Sequence, residues 1–428
     1  MVYHPRENWD PRTGRRLYSR REFLWRAGAL GVSLPAMASI LSACGGGETG
    51  AATEVLIGTP TNPVTQPLFD DNPAIASGLP VEEGPLRIYN WEAYINPDTL
   101  VAFEEATGVK VEVSTYYNES EALGKLTSGE VQFDIWLPVA NTVAKSVAGQ
   151  LLQPLNKDYI TNLGNVWPEL ADPYYDKGSQ YTVPYVVYQT GIAWREDMVD
   201  SADIQGVANP WDVFWNPAYK DMTGLYDDWQ ETLSIAMFRA GVADPANATP
   251  EELTAASESL KELVDLVNIR YTIDGVYTGL PETKFGLHSA WSGDIVNAQY
   301  YFPEGGDPGT LRYLWPANAE GSTVRGAIAN DTLAILKGAE HPVLAHKFID
   351  FMLDADNAIG NFSWLGYQPP QTSIDPETLV ADGYVPENLS TAIVRQGDVN
   401  LERAHVHLQL EPEAEATWTQ AFSSALGG

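Results

Sequence analysis

The sequence has a single cysteine among its 428 residues, Cys44, so no disulfide can form within the chain. The folded part must therefore be held by hydrophobic packing, for which 44% apolar and 11% aromatic residues supply ample material. The apolar stretch over residues 27–41 is shorter than the 18 or more residues that a membrane-spanning helix needs. These features favour a globular chain with room for two domains.

Basic residues are also scarce: 25 Lys and Arg stand against 57 Asp and Glu, a net charge of -32. Up to residue 43 there are seven Arg and three acids, or +4, so the remainder carries -36. A body this acidic repels nucleic acid and anionic lipid and attracts cations, so we expect no nucleic-acid partner. A surface adapted to salt or to solubility would explain the charge equally well. The charge alone therefore places no binding site.

The common catalytic signatures are missing: the sequence has no Gly-x-Ser-x-Gly elbow, no P-loop and no zinc-type Cys/His spacing. His405 and His407 have alternate spacing, but no third ligand accompanies them, and we interpret them as structural. We therefore expect no catalytic residue, cofactor or metal. An exported glycosidase stays an alternative, because it needs only two carboxylates and aromatic platforms, which are plentiful here.

The first 44 residues have the pattern of an export signal. Arg20 and Arg21 precede the apolar run 27–41, an arrangement that resembles the twin-arginine signal. The run leads into Leu-Ser-Ala-Cys at 41–44, which resembles the lipobox of bacterial lipoproteins. The resemblance implies that residues 1–44 are a signal peptide and that Cys44 carries the lipid. Residues 45–85, rich in proline, glycine and small or acidic side chains, are expected to form a flexible tether.

From residue 86 onward, strand and helix patterns alternate. Residues 86–91 suit a strand, and Asn96 is a good N-cap for a helix that Gly108 ends. Thr249 and Glu252 form a capping box before a long amphipathic helix. This alternation predicts an α/β fold with mixed, mainly parallel sheets flanked by helices.

Several segments in this body resemble the spermidine/putrescine-binding proteins of ABC importers. The resemblance covers most of 86–400 and depends on the order and spacing of the segments. They are Tyr-Asn-Trp-Glu-Ala-Tyr at 89–94, 103–111, 133–138, 182–185, 191–194, Trp-Ser-Gly-Asp at 291–294, Asp-Thr-Leu-Ala-Ile at 331–335 and Leu-Gly-Tyr-Gln-Pro at 365–369.

The resemblance implies a two-lobed, type II periplasmic-binding fold with the ligand cleft between the lobes. The chain would cross between the lobes more than once and close on its ligand like a hinged clamp. Lobe one is expected to comprise 86–193 and 328–370, and lobe two 194–327 and 371–428.

A polyamine is an aliphatic chain with ammonium groups at its ends, so its site needs aromatic walls and carboxylates. Positions that match the family's motifs are expected to supply both. The predicted ligand-binding residues are the aromatics Trp91, Tyr94, Trp291 and Tyr367 and the acids Glu92, Asp228, Glu231, Asp294 and Asp331.

The sequence also departs from the family. Val139, Ala140 and Asn141 stand where hydroxyl and aromatic residues are usual, and Ala329 stands where an aromatic is common. Two walls of the site are thus expected to be thin, which leaves the choice between putrescine and spermidine open. A carrier of sugar, thiamine or a metal complex on the same fold stays a further alternative.

The resemblance also implies the setting in which the chain acts. We expect an exported monomer, held by lipid at the outer face of the cytoplasmic membrane in the periplasm or at the cell surface. It would deliver putrescine or spermidine to an ABC permease.

Overall fold

The computed structural model describes residues 55–129, 131–399 and 403–427. The predicted export signal, with Arg20, Arg21 and Cys44, lies outside these residues. The strands are β1 Leu86–Trp91, β2 Val111–Tyr116, β3 Ile135–Trp136, β4 Thr182–Arg195, β5 Thr223–Tyr226, β6 Arg270–Thr272, β7 Leu287–Trp291, β8 Leu311–Leu314, β9 Gly326–Ile335 and β10 Ala404–His405.

Helices connect and flank these strands. They are α1 Pro97–Thr107, α2 Glu119–Ser128, α3 Val143–Ala148, α4 Pro168–Ala171, α5 Trp229–Arg239, α6 Pro250–Val267, α7 Ser292–Asn297, α8 Pro342–Leu353, α9 Ala355–Leu365, α10 Pro376–Ala381 and α11 Pro412–Leu426. In the described ranges, none of these helices has both the length and the apolar character needed to cross a membrane.

The strands form a mixed sheet in the order β2-β1-β3-β9-β4-β7-β5-β6. At one end β1 pairs in parallel with β2 and β3, and at the other β5 pairs in parallel with β6 and β7. The long strands β4 and β9 lie between these groups and pair antiparallel from Thr182 opposite Ala334 to Thr190 opposite Ala327. They link the two groups, as expected for segments that cross between lobes.

Local sequence signals set the ends of two helices as predicted. The side chain of Asn96 accepts a hydrogen bond from Asp98 N at the start of α1, and Gly108 ends that helix with a positive φ of 76°. Thr249 and Glu252 form the reciprocal capping box of α6. The apolar face of α6 is buried through Leu260 and neighbouring side chains, packed against α5 and α11.

The predicted tether differs from the structure over residues 55–85, which lie against the body. Val64 N donates to Tyr174 O at 2.9 Å, and the side chain of Asn72 donates to Leu152 O at 2.8 Å. The carboxylate of Glu82 accepts from two backbone N–H groups at the start of α8. The prolines keep the segment out of regular structure, yet its polar groups find partners on the body. Residues 55–85 therefore belong to the folded body.

Two strands also differ from the pattern expected. The alternation of Val109, Val111 and Val113 with polar residues predicts a strand with these valines inward, yet Val113 is 37% exposed in β2. The apolar segment 133–137 predicts a core strand, yet only Ile135 and Trp136 form one. Both strands are short and are fixed by their neighbours in the sheet rather than by their own periodicity.

Candidate functional site

A cavity of about 200 Å³ lies beside the crossing strands β4 and β9. Side chains from both strand groups line it, which places it where the ligand cleft is expected. All nine predicted ligand-binding residues are part of its lining: Trp91, Glu92, Tyr94, Asp228, Glu231, Trp291, Asp294, Asp331 and Tyr367. Their contact with a ligand stays a prediction.

Asp331 lies on β9 and is only 4% exposed. Its carboxylate accepts hydrogen bonds from Tyr94 Oη at 2.7 Å and from Tyr188 Oη at 3.3 Å. Burial raises the pKa of Asp331 to about 7, although both tyrosine hydroxyls favour the charged form. The carboxylate is thus buried beside hydroxyl donors and forms no ion pair with any residue that the structure describes.

Asp294 has a matching environment in the first turn of α7, directly after β7. Tyr367 Oη donates to Asp294 Oδ1 at 2.7 Å, and Tyr226 Oη donates to Oδ2 at 2.8 Å. Burial again raises the pKa, to about 7, against the effect of these two hydrogen bonds. The cavity therefore holds two buried carboxylates, each positioned by a pair of tyrosines.

Aromatic rings connect these two carboxylates. The ring centroids of Tyr94 and Tyr367 are 5.0 Å apart, and those of Tyr188 and Tyr367 are 5.4 Å apart. Trp291 stacks on Tyr226 with centroids 4.0 Å apart. The rings form an apolar, polarisable wall of the kind that suits methylene groups and cations.

The close packing of Tyr367 depends on a glycine. A Cβ atom at Gly293 would lie 2.1 Å from a ring carbon of Tyr367, far inside contact distance. Gly293 belongs to the Trp-Ser-Gly-Asp segment, so the lack of a side chain there lets Tyr367 reach Asp294. A larger residue would displace that tyrosine.

The start of α5 brings two further acids to the cavity. Asp228 is the N-cap, and its Oδ1 accepts from the backbone N–H groups of Gln230 and Glu231, each at 2.9 Å. Glu231 Oε1 in turn accepts from Trp291 Nε1 at 2.8 Å. Burial, with the neighbouring Glu231, raises the pKa of Asp228 to about 6.

The charge of Glu231 is set by a neighbour. Burial alone would raise its pKa, but the adjacent His407, together with hydrogen bonds from Trp291 and Thr190, outweighs burial and lowers it. His407 Nε2 lies 3.2 Å from Glu231 Oε2. The sequence interpretation of His407 as structural missed its place in the cavity lining. Its neighbour His405 is not among the lining residues.

Glu119 is another acid that the sequence analysis missed. It begins α2, and its Oε1 accepts from Thr142 Oγ1 at 2.9 Å. Its other carboxylate oxygen is buried with no hydrogen-bond partner in the described ranges, and burial raises the pKa of Glu119 to about 8. Asn118 caps the helix that Glu119 begins, but the approach of residues 139–142 to Glu119 is a tertiary contact.

The residues at which the sequence departs from the family belong to the cavity lining. Val139, Ala140, Asn141 and Ala329 all line the cavity. Across the described residues, no group of three His, Cys, Asp or Glu side chains is arranged to hold a metal ion. The chemistry that this lining offers is therefore carboxylate charge, hydroxyl groups and aromatic faces.

Comparison with known proteins gives similar sequences over most of the body. A family model described as "Bacterial extracellular solute-binding protein" matches residues 99–386. The spermidine/putrescine-binding periplasmic protein of Salmonella typhimurium is 31% identical over 287 residues, which cover 67% of this chain and 77% of that protein. A putrescine/cadaverine-binding protein of Pseudomonas aeruginosa is 26% identical over 295 residues, or 68% and 80% of the two chains.

Solved structures share the fold. A spermidine/putrescine ABC transporter substrate-binding protein from Streptococcus pneumoniae superimposes with a TM-score of 0.63 at 24% identity, over 80% of this chain and 98% of that one. A putative spermidine/putrescine ABC transporter protein from Listeria monocytogenes gives a TM-score of 0.66 at 24% identity, with the same coverage. The fold is thus the two-lobed α/β periplasmic-binding fold, and the chain belongs to the family of bacterial extracellular solute-binding proteins.

Proposed function

We propose that this protein captures a polyamine in the cleft beside β4 and β9 and delivers it to an ABC permease. The names of its relatives support this, since those proteins bind spermidine, putrescine or cadaverine. The lining supports it independently through its charge and aromatic content. In this proposal the chain binds and delivers its ligand and carries out no catalysis.

One observation carries the proposal: Asp294 and Asp331 are both buried, both held by tyrosine hydroxyls, and neither forms an ion pair among the described residues. Buried carboxylates without a cation are costly, so their presence favours a ligand that brings positive charge. A ligand with an ammonium group at each end would neutralise both. A neutral sugar would neutralise neither.

The remaining lining residues fit the middle of such a ligand. Tyr94, Tyr367 and Trp291 offer ring faces to the methylene groups, while Glu92 adds negative charge. A charge-assisted hydrogen bond contributes about 1.5–3 kcal/mol, and a desolvated cation–π contact contributes up to about 2. Several of each reach the roughly 8 kcal/mol of micromolar binding after the ordering losses.

The proposal extends to the cellular setting. The paired Arg20 and Arg21, the apolar run and Cys44 support export by the twin-arginine route, followed by lipid attachment at Cys44. The protein would then act as a lipid-anchored monomer at the outer face of the cytoplasmic membrane. These residues precede the described ranges, so this part of the proposal depends on sequence alone.

A thermal-shift panel tests the proposal against neutral ligands. Putrescine should raise the melting temperature of the full chain in detergent, because a ligand that binds only the folded state stabilises it. 1,4-Butanediol is the matched control, since it has the same length with hydroxyls in place of ammonium groups. Equal shifts with both compounds, or a shift with sugars alone, would contradict amine recognition.

A further inference from the structure

A C-terminal segment outside the family match supplies part of the cavity wall. The match ends at residue 386, whereas residues 406–410 all line the cavity. Strand β10 positions this segment, because Ala404 and His405 pair in parallel with Gly326 and Ala327 on β9. The chain thus adds a wall beside Ala329, one of the thinned positions.

His407 is the ionisable residue that this wall places against Glu231. It is 8% exposed, and its Nε2 lies 3.2 Å from Glu231 Oε2, within ion-pair distance though not aligned as a hydrogen bond. Its Nδ1 is buried with no hydrogen-bond partner among the described residues. The other ionisable groups that influence it are Asp228 at the start of α5 and His405, whose ring centroid is 5.4 Å away.

The surroundings of His407 favour its charged form. Burial alone would lower its pKa, but Glu231 and Asp228 outweigh burial and raise it. His405 is driven the other way, mainly by burial, so its pKa is lowered and it adds no competing charge. A neutral His407 would leave Glu231 as a buried carboxylate without a cation.

We propose that His407 is a specificity-determining residue: its imidazolium occupies the place of one ligand ammonium against Glu231 and so favours diamines over triamines. This inference depends on the proposed polyamine function and refines it. Lys145, another cation of the cavity lining, is also paired with an acid: its Nζ lies 3.3 Å from Glu415 Oε1. Asp294 and Asp331, each held by two tyrosine hydroxyls and without an ion pair among the described residues, then accept the two ends of a diamine in this proposal.

A triamine would have to displace this resident cation. Its third ammonium needs a carboxylate, and Glu231, which accepts a hydrogen bond from the wall residue Trp291, already faces His407. Two cations at one carboxylate repel each other, so the triamine is disfavoured by repulsion rather than by loss of an attraction.

The test is a comparison of putrescine and spermidine affinities by calorimetry, using the full chain in detergent. The wild type should bind putrescine about tenfold tighter or more, and His407→Gln should shift the affinity ratio towards spermidine by about tenfold or more. His405→Gln is the matched control, because it is equally buried on the same segment but does not line the cavity; its ratio should stay within about threefold of the wild type. His407→Lys, which keeps a cation, should retain the preference for putrescine.

An unchanged ratio in folded His407→Gln, or a wild type that prefers spermidine, would overturn the inference while leaving amine binding intact. A folded wild type that binds neither amine would instead overturn the proposed function and the inference together. If His407→Gln does not fold, NMR of the wild type with ring-15N-labelled histidine carries the test. At pH 6 with putrescine bound, His407 should be an imidazolium, because its pKa is raised above its usual value; a neutral ring at this pH would overturn the inference.

Discussion

Asp331 shows at the scale of one residue how binding and stability oppose each other in this cleft. Its carboxylate is buried beside Tyr94 and Tyr188, and burial raises its pKa to about 7. The charged form that an ammonium needs is therefore the form that the empty protein disfavours. Residues selected for binding are often unfavourable to the unliganded fold for this reason.

Replacing Asp331 with Asn should weaken amine binding at least about tenfold, because the ammonium loses a charge-assisted partner worth about 1.5–3 kcal/mol. Calorimetric titration with putrescine measures this. Asp382→Asn is the control, since Asp382 is an exposed acid at the end of α10 and its loss changes the net charge equally. Equal affinities for wild type and Asp331→Asn would remove Asp331 from the site.

The same substitution should stabilise the empty protein at high pH. An Asp that titrates near 7 in the fold and near 3.8 when unfolded keeps its proton only in the folded state between these values, so stability falls as pH rises through this window. The difference is equivalent to about 4 kcal/mol at pH 8. Urea unfolding without amine should show Asp331→Asn gaining more over the wild type at pH 8 than at pH 4. A gain independent of pH would mean that Asp331 is not held in its neutral form.

The sequence identified lining residues of the cavity where a segment resembles the family, and it missed those whose contacts are formed by distant parts of the chain. Asp294 and Tyr367 were placed in the cleft through short segments that keep their spacing. His407 was missed because nothing near it in sequence reveals Glu231, which lies 176 positions earlier. Glu119 was missed for the same reason, since Thr142 reaches it only in the folded chain.

At the scale of elements, the residue that caps helix α5 also lines the cavity. The hydrogen bonds that Asp228 accepts cap the helix, while its charge acts on the cavity, so the two roles are separate. Asp228→Asn keeps the cap, because Asn serves equally well there, and at pH 4, below the pKa of about 6 that burial gives Asp228, it should leave stability within about 0.5 kcal/mol. Asp228→Ala loses the cap and should cost about 1 kcal/mol.

The two variants also separate the effect of the charge of Asp228 on ligand binding from the effect of its helix cap. With His407 facing Asp228 and Glu231, we expect Asp228→Asn to change putrescine affinity by less than about threefold. Asp228→Ala should weaken binding further, because Glu231 in the first turn is no longer held in place. Urea unfolding and calorimetry on both variants measure the two effects; an equal loss of binding in both would assign Asp228 directly to the ligand.

Elements with strong local signals were predictable, and those defined by tertiary pairing were not. Helices α1 and α6 carry their caps in the sequence. Residues 55–85 have the composition of a linker, yet the side chains of Glu82 and Asn72 form hydrogen bonds with the body. Composition reports whether a segment can fold alone, and this segment folds only against the rest of the chain.

At the scale of the whole molecule, β4 and β9 connect two groups of strands beside the cavity. Of the predicted lobe boundaries, 193–194 and 327–328 fall within β4 and β9, whereas 370–371 follows α9; the division into lobes stays a prediction. The body from Cys44 onward carries a net charge of -36, which would raise the local concentration of cationic ligands and weaken with added salt.

The membrane anchor is a separate prediction for the whole chain. Cys44→Ser should move the protein from the membrane to the soluble fraction, because a lipid chain is the proposed link to the bilayer. Arg20→Lys with Arg21→Lys should instead block export, while the same change at Arg15 and Arg16 serves as the control. Fractionation followed by immunoblotting measures both; continued membrane association of Cys44→Ser would contradict lipid attachment at Cys44.

Calorimetric titration of the full chain with putrescine, cadaverine, spermidine and spermine tests the central claim most directly. We predict saturable binding at micromolar concentration or tighter, with one site per chain and a preference for the diamines. A chain shown to be folded that gives no heat with any of the four amines would contradict the proposal that Asp294 and Asp331 hold a polyamine.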